Sequence, residues 1–208
     1  VPECFFLADQ SLAQQPEDMP CSAALVPGGR WNALFDATSS WGNAAELECL
    51  SAKDNDRYED SGINWRLYRG YGRLFEALAA GLPIAYGVKA IRVEHHGAAI
   101  AIETSRGRVR AARIIVAVPS AIIAEERLVF DPPLPDKLAA ANGLPLGLAD
   151  KLFFHFDGAE DISERYLIGS TRRRETMSYQ LRPMGRPRIN CFFGGRFAAA
   201  LERDGFDA

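Results

Sequence analysis

Residues 82–151 read LPIAYGVKAIRVEHHGAAIAIETSRGRVRAARIIVAVPSAIIAEERLVFDPPLPDKLAAANGLPLGLADK, and the fold follows from how this stretch divides. Val88-Lys89-Ala90-Ile91-Arg92-Val93 alternates apolar and polar side chains, the period of a half-buried strand. His95-His96-Gly97 supplies turn chemistry, Gly97 being free to take a positive φ. Ala99 to Thr104 reads as a second strand, Ser105-Arg106-Gly107 as a second turn, and Val109 to Val118 as a third strand. Its run Ile114-Ile115-Val116-Ala117-Val118 predicts burial on both faces. Pro119 has no N–H to donate and ends the ladder. The expectation is a three-stranded antiparallel meander. Phe130 to Pro135 is then a rigid extended link, because consecutive prolines fix φ and bar a helix. Asp136 to Asn142 makes a short helix stopped by Gly143, and Lys151 enters the apolar strand Leu152-Phe153-Phe154-His155-Phe156. A buried ammonium is costly unless something partners it. Either Lys151 belongs to a site, or its stem packs while its head reaches solvent.

Upstream, Val1 to Pro27 is loop-rich and Gly28-Gly29-Arg30 marks a turn. Trp31, Leu34, Phe35 and Ala37 recur at helical spacing, and Ser39-Ser40 offers an N-cap for a second helix carrying Ala44, Ala45, Leu47 and Leu50. Trp31 and Trp41 are expected as core anchors rather than as an aromatic substrate box. Asp54 to Ile63 reads as a charged surface loop and Asn64 to Arg69 as a short strand. Gly70-Tyr71-Gly72 turns the chain into a helix over Arg73 to Ala80, closed by Gly81 and Pro83. Downstream, Met177 to Arg182 and Ile189 to Phe193 read as strands, and Gly194-Gly195 leads into a helix over Phe197 to Arg203. Arg172-Arg173-Arg174 is expected at a solvated edge.

With 208 residues, 48% of them apolar, and a net charge of −3, the chain has the makings of a buried core and lacks the basic stripe that nucleic-acid binding needs. Its apolar runs fall short of the roughly 20 residues that span a bilayer. Cys4, Cys21, Cys49 and Cys191 show no C-x-x-C spacing and are expected as free thiols of an intracellular protein. The His95-His96 pair sits in a turn with poor chelating geometry, so no metal site is assigned.

The order of these features carries a resemblance. Gly70-Tyr71-Gly72 with Leu74, Gly81-Leu82-Pro83-Ile84, Val88 and Ile91, Val118-Pro119, Phe130-Asp131-Pro132-Pro133-Leu134-Pro135, and Leu146-Gly147 ahead of Lys151 resemble the flavin-containing amine oxidases. That family includes the monoamine, polyamine and L-amino acid oxidases. Arg69 stands where most members have the first of two glycines, so no cofactor contact is assigned to that turn.

The resemblance implies an α+β fold in three segments. Residues 1–69 would be a helical segment of the substrate domain. Residues 70–135 would be an FAD-domain segment with the β-meander. Residues 136–208 would return to the substrate domain, with a mixed sheet and flanking helices. The implied cofactor is FAD, its adenine end held by the backbone of Val88, with Ala117-Val118-Pro119 running beside it. The implied catalytic residue is Lys151, holding a water against flavin N5 and stabilising negative charge that builds on reduced flavin or on oxygen. The implied partners are a small-molecule amine, delivered neutral, and oxygen. Hydride passes to flavin N5, the imine is hydrolysed, and oxygen restores the flavin with release of hydrogen peroxide.

No G-x-G-x-x-G occurs in the sequence, so the pyrophosphate-binding turn of such enzymes is lacking, as is the segment that closes the flavin site. The chain is therefore expected to be the central part of an oxidase, inactive alone, with the cytoplasm as its expected location. Two other readings stand beside this one. A related flavoenzyme such as a carotenoid desaturase or protoporphyrinogen oxidase is one, against which Lys151 argues. A cofactor-free binding or scaffold module is the other.

Overall fold

A computed structural model describes residues 14–59 and 61–205; Cys4 and the first thirteen residues of the expected N-terminal loop lie outside the described residues. The architecture is α+β, with helices α1 (Asn32–Gly42), α2 (Ala52–Asp56) and α3 (Gly70–Ala79) before strands β1 (Ala90–Glu94), β2 (Ile100–Thr104) and β3 (Gly107–Ala111). Helix α4 (Ser120–Ala124), strand β4 (Val129–Asp131) and helix α5 (Pro135–Asn142) follow. Strands β5 (Ala149–His155), β6 (Arg165–Ile168), β7 (Ser178–Leu181) and β8 (Arg188–Gly194) lead into helix α6 (Gly195–Asp204). The chain divides into two compact units: residues up to Trp65 with those from Gly147 on, and Arg66–Leu146.

In the first unit, α1 buries Leu34 and Ala37, together with Asp36, Ser39 and Ser40. The sequence predicts a break at the two serines, but the helix absorbs them. Ser40 Oγ donates to the Ala37 carbonyl and Ser39 Oγ to that of Ala45, each at 2.7 Å, so neither hydroxyl is left dry and unpaired. The expected second helix is correspondingly missing: Ala44 takes φ 63°, and Leu47–Cys49 makes only a 3₁₀ turn. Ser51 instead caps α2, its Oγ accepting the Asp54 N–H at 2.9 Å, and the helix runs into the first three residues of the expected loop Asp54 to Ile63. Trp31 is 42% exposed, with the Arg30 guanidinium 4.7 Å from its ring, and so is no core anchor.

The same unit holds a sheet in the order β5-β8-β7-β6, every pair antiparallel. Strand β6 was not foreseen, since its surroundings are polar and its four residues too few to show a period. Cys191 and Phe193 are buried in β8, and the Phe193 ring meets Phe197 of α6 edge-on at 5.8 Å. Cys21, Cys49 and Cys191 are free thiols as expected. Burial pushes those of Cys21 and Cys191 upward, which makes them poor nucleophiles.

The second unit is built on the meander. Its strands run in the order β3-β2-β1-β4, with β1–β2 and β2–β3 antiparallel and β4 parallel to β1. The mixed sheet is thus this one, because Val129–Asp131, which includes the first two residues of the expected link Phe130 to Pro135, joins it as an edge strand. Gly107, not Gly97, takes the positive φ, at 116°. The third strand ends at Ala111, and the expected strand over Asn64–Arg69 does not form. Residues 113–119 lie outside any strand, with Ile115 93% exposed, so the burial expected of Ile114 to Val118 is not found. Apolar character favours a strand only where a ladder partner exists, and no described segment pairs with this one. Helix α3 ends as expected, with Gly81 at φ 84°. Ser120 at the start of α4 donates to the Leu144 carbonyl beyond α5 at 2.7 Å.

Candidate functional site

Strand pairing fixes which side chains share a face with Lys151, since directly opposite residues in antiparallel strands point the same way. Lys151 lies opposite Phe192, and Phe192 opposite Ser178, which lies opposite Ile168. One row along come Phe153, Asn190, Gln180 and Tyr166. Lys151 is exposed and its Nζ stands 5.3 Å from the Phe192 ring centroid. The ammonium therefore sits over an aromatic face and is not sunk in the apolar strand. Arg188 lies 5.6 Å over the Phe153 ring in the same manner.

The amides of the second row form a chain. Asn190 Nδ2 donates to Gln180 Oε1 at 3.4 Å, and Gln180 Nε2 donates to Glu164 Oε1 at 3.3 Å. Glu164 Oε2 also accepts the Met184 N–H at 3.0 Å. Asn190 Oδ1 and Arg188 Nε are buried and, among the described residues, have no hydrogen-bond partner. None of these polar residues was singled out from the sequence as a site residue. The available signal was an asparagine inside the apolar run Ile189-Asn190-Cys191-Phe192-Phe193, whose meaning depends on a register that the sequence does not print.

Val88 lies half-buried two residues before β1. Its neighbour Lys89 is fully engaged, donating its N–H to Ser105 Oγ at 3.0 Å and accepting the Ser105 N–H at 2.8 Å. Among the described residues nothing takes up the N–H or C=O of Val88. In extended chain those two groups point to one side, so they fit the donor–acceptor edge of an adenine. Ala117 and Pro119 lie exposed in the stretch outside the strands, and the Pro119 carbonyl is already taken by the Ile122 N–H at 3.0 Å. Val88, Ala117 and Pro119 share the second unit, whereas Lys151 belongs to the first. Of these residues Val88 offers a free N–H and a free C=O, the chemistry that an adenine edge requires, and no glycine-rich turn of the kind that holds a pyrophosphate occurs in the sequence.

The two histidines are occupied differently. His95 Nε2 lies 2.8 Å from the Pro132 carbonyl and His96 Nδ1 3.5 Å from that of Asp131. The Arg92 guanidinium, 2.7 Å from Asp131, holds that carboxyl below its usual range. Among the described residues no group of His, Cys, Asp or Glu is placed to hold a metal ion, and no helix is long and apolar enough to cross a membrane.

Comparison with known proteins bears on the same residues. A family model described as flavin containing amine oxidoreductase matches residues 11–201. Polyamine oxidase 2 of Arabidopsis thaliana is 31% identical over 117 residues, which cover 55% of this chain and 24% of the relative. Lysine-specific histone demethylase 1 homolog 2 of Oryza sativa subsp. japonica is 31% identical over 128 residues, covering 61% of this chain and 17% of the relative. Polyamine oxidase 4 of the same rice is 25% identical over 212 residues, covering 91% and 43%. Among solved structures, a putrescine oxidase double mutant from a redesign of cofactor binding superimposes with a TM-score of 0.50 at 16% identity, over 98% of this chain and 42% of that one. At that identity the likeness concerns the fold alone. The chain spans less than half the length of each of these relatives. A match from residue 11 to residue 201 covers nearly all of the sequence, and the chain belongs to the flavin-containing amine oxidoreductase family.

Proposed function

We propose that this chain is the central part of an FAD-dependent amine oxidase, with the meander unit contributing to the FAD domain and the unit of β5–β8 to the substrate domain. What supports the reading is the match of the flavin containing amine oxidoreductase model to residues 11–201, a span in which Lys151 stands on β5 with its ammonium 5.3 Å from the Phe192 ring centroid. When bound, the flavin accepts hydride from the carbon beside the amine nitrogen and yields its electrons to oxygen, giving hydrogen peroxide. Lys151 orients a water at the reacting end and stabilises negative charge as oxygen is reduced. The free N–H and C=O of Val88 hold the adenine, and Ala117 to Pro119 run alongside the cofactor. The polyamine oxidases among the relatives support an amine with more than one nitrogen as substrate. This chain by itself lacks the pyrophosphate turn, so it neither retains FAD nor turns over.

The test is the visible spectrum of the full-length gene product, followed without oxygen as amines and amino acids are added in turn. A yellow protein bleached by an amine is the expected result. A yellow protein that no amine bleaches points to desaturase-like chemistry, and a colourless one that ignores added FAD points to a scaffold. In the active enzyme, Lys151→Met should slow reoxidation by oxygen far more than it weakens FAD binding, measured by stopped flow and by flavin fluorescence.

A further inference from the structure

The turn between β2 and β3 is docked beside Val88. Ser105 and Arg106 are its two corner residues, since Thr104 and Gly107 pair across it. Thr104 Oγ1 braces the corner, donating to the Gly107 carbonyl at 2.6 Å and accepting the Arg106 N–H at 3.1 Å. Ser105 fastens the corner to the chain ahead of β1 through its two bonds with Lys89, one from its N–H and one to its Oγ. The backbone that carries Arg106 is thus held in place before any ligand arrives, which lowers the ordering cost of binding. Its side chain runs back to the same junction. A Cβ built on Gly87 would stand 3.4 Å from Arg106 Nη2, so the guanidinium lies against the main chain one residue before Val88. Gly87 takes φ 66° and has no side chain to keep the guanidinium off.

Charge and direction give this contact its meaning. Arg108, the next arginine along, is neutralised by Glu94. Arg106 is exposed, and its guanidinium has no ion pair or hydrogen bond among the described residues. Successive residues of an extended chain turn their N–H and C=O to opposite sides. Those of Lys89 face Ser105, so the free pair on Val88 faces away from the turn. Arg106 reaches across from the turn side and ends beside that free pair. A flat base bonded edge-on to Val88 lies level with the chain, with one face open to whatever covers the chain there. A guanidinium suits that place, being planar, weakly hydrated and inclined to stack on aromatic faces.

We propose that Arg106 is a cofactor-binding residue whose guanidinium covers the face of the adenine that Val88 holds by its edge. This rests on the reading of Val88 given above. The plane of the guanidinium carries the effect as well as its charge, so a lysine cannot fully replace it.

The experiment titrates FAD into full-length apoprotein made in a flavin-starved host and follows the quenching of flavin fluorescence, so no turnover is needed. Arg106→Ala should weaken binding on the order of 3- to 30-fold, the range for a cation over an aromatic face. Arg106→Lys, which keeps the charge and loses the plane, should recover only part of that loss. It also reads the same quantity should the alanine variant fail to fold. Arg110→Ala, which removes another exposed charge from β3, should bind as wild type does. Unchanged affinity in Arg106→Ala overturns the proposal. Full recovery in Arg106→Lys overturns it too, the side chain then acting on the phosphates by charge alone. An equal loss in Arg110→Ala overturns it in favour of overall charge. All three leave the FAD reading intact. A wild-type apoprotein that takes up no FAD overturns both.

Discussion

A methyl group at Gly194 would run into the backbone carbonyl of Ser40, and into that of Leu148 at 2.9 Å. Both obstacles are main chain, which has no rotamer to change, so α1 or β5 would have to move. Gly194→Ala should therefore cost about 1–3 kcal/mol, as overpacking of a close-fitted core does, read as a lower urea midpoint. Gly42 is the control: nothing lies within 4 Å of a Cβ built there, and it closes α1 at an ordinary negative φ. Gly42→Ala should be neutral or stabilising by up to about 1 kcal/mol. The glycine pair Gly194-Gly195 was legible in the sequence as a step from strand to helix. Its reason was not, because the group that enforces it is contributed by a serine far upstream. Lys151 was legible for the opposite cause: a lone charge in an apolar strand is visible without knowing any neighbour. Asn190 and Gln180 acquire meaning only through pairing across β8 and β7.

At the scale of elements, α6 begins on a carboxylate from elsewhere. Glu46 Oε1 accepts the Arg196 N–H at 2.7 Å, and the Arg196 guanidinium reaches Glu48. One of the four N–H groups that a helix start leaves unpaired is thereby satisfied, and the negative charge suits the positive end of the helix dipole. Glu46→Ala should cost about 0.5–2 kcal/mol, and Glu46→Gln, which keeps an acceptor, much less; thermal unfolding of the two variants checks this. The meander carries a different device, Asp131 of β4 against Arg92 of β1. Because the folded carboxyl titrates below its unfolded value, the pair stabilises the fold fully above the ordinary aspartate range. That contribution is lost as pH falls through the lowered folded value. Acidification should accordingly shift the urea midpoint of Asp131→Asn less than that of wild type. Sequence patterning found β1, β2, α3, α5 and α6 because each has its own period, cap or stop. It missed β4 and β6, which are too short for a period, and it extended β3 through Ile114–Val118, where apolar residues lack a partner strand.

For the whole molecule, burial is uneven. In the meander unit the face of α3 bearing Leu74, Phe75 and Leu78 is exposed, as is Ile115, while Val93, Ala101, Leu128 and Ala141 are buried. Large apolar side chains left in solvent along one helix face favour association. The division into two units follows contacts made across long stretches of chain and not composition. The expected consequence concerns this chain expressed by itself. It should bind a hydrophobic dye such as ANS in its folded state and elute from gel filtration as associated species whose size depends on concentration. Ile115→Ser and Leu78→Gln, which change side chains already in solvent, should reduce dye binding and association together. Each should leave the unfolding midpoint within about 0.5 kcal/mol of the parent, the usual range for surface changes. A monomer that ignores the dye would mean that these faces close on themselves in solution. A midpoint that drops by several kcal/mol would mean that Ile115 or Leu78 is part of the core.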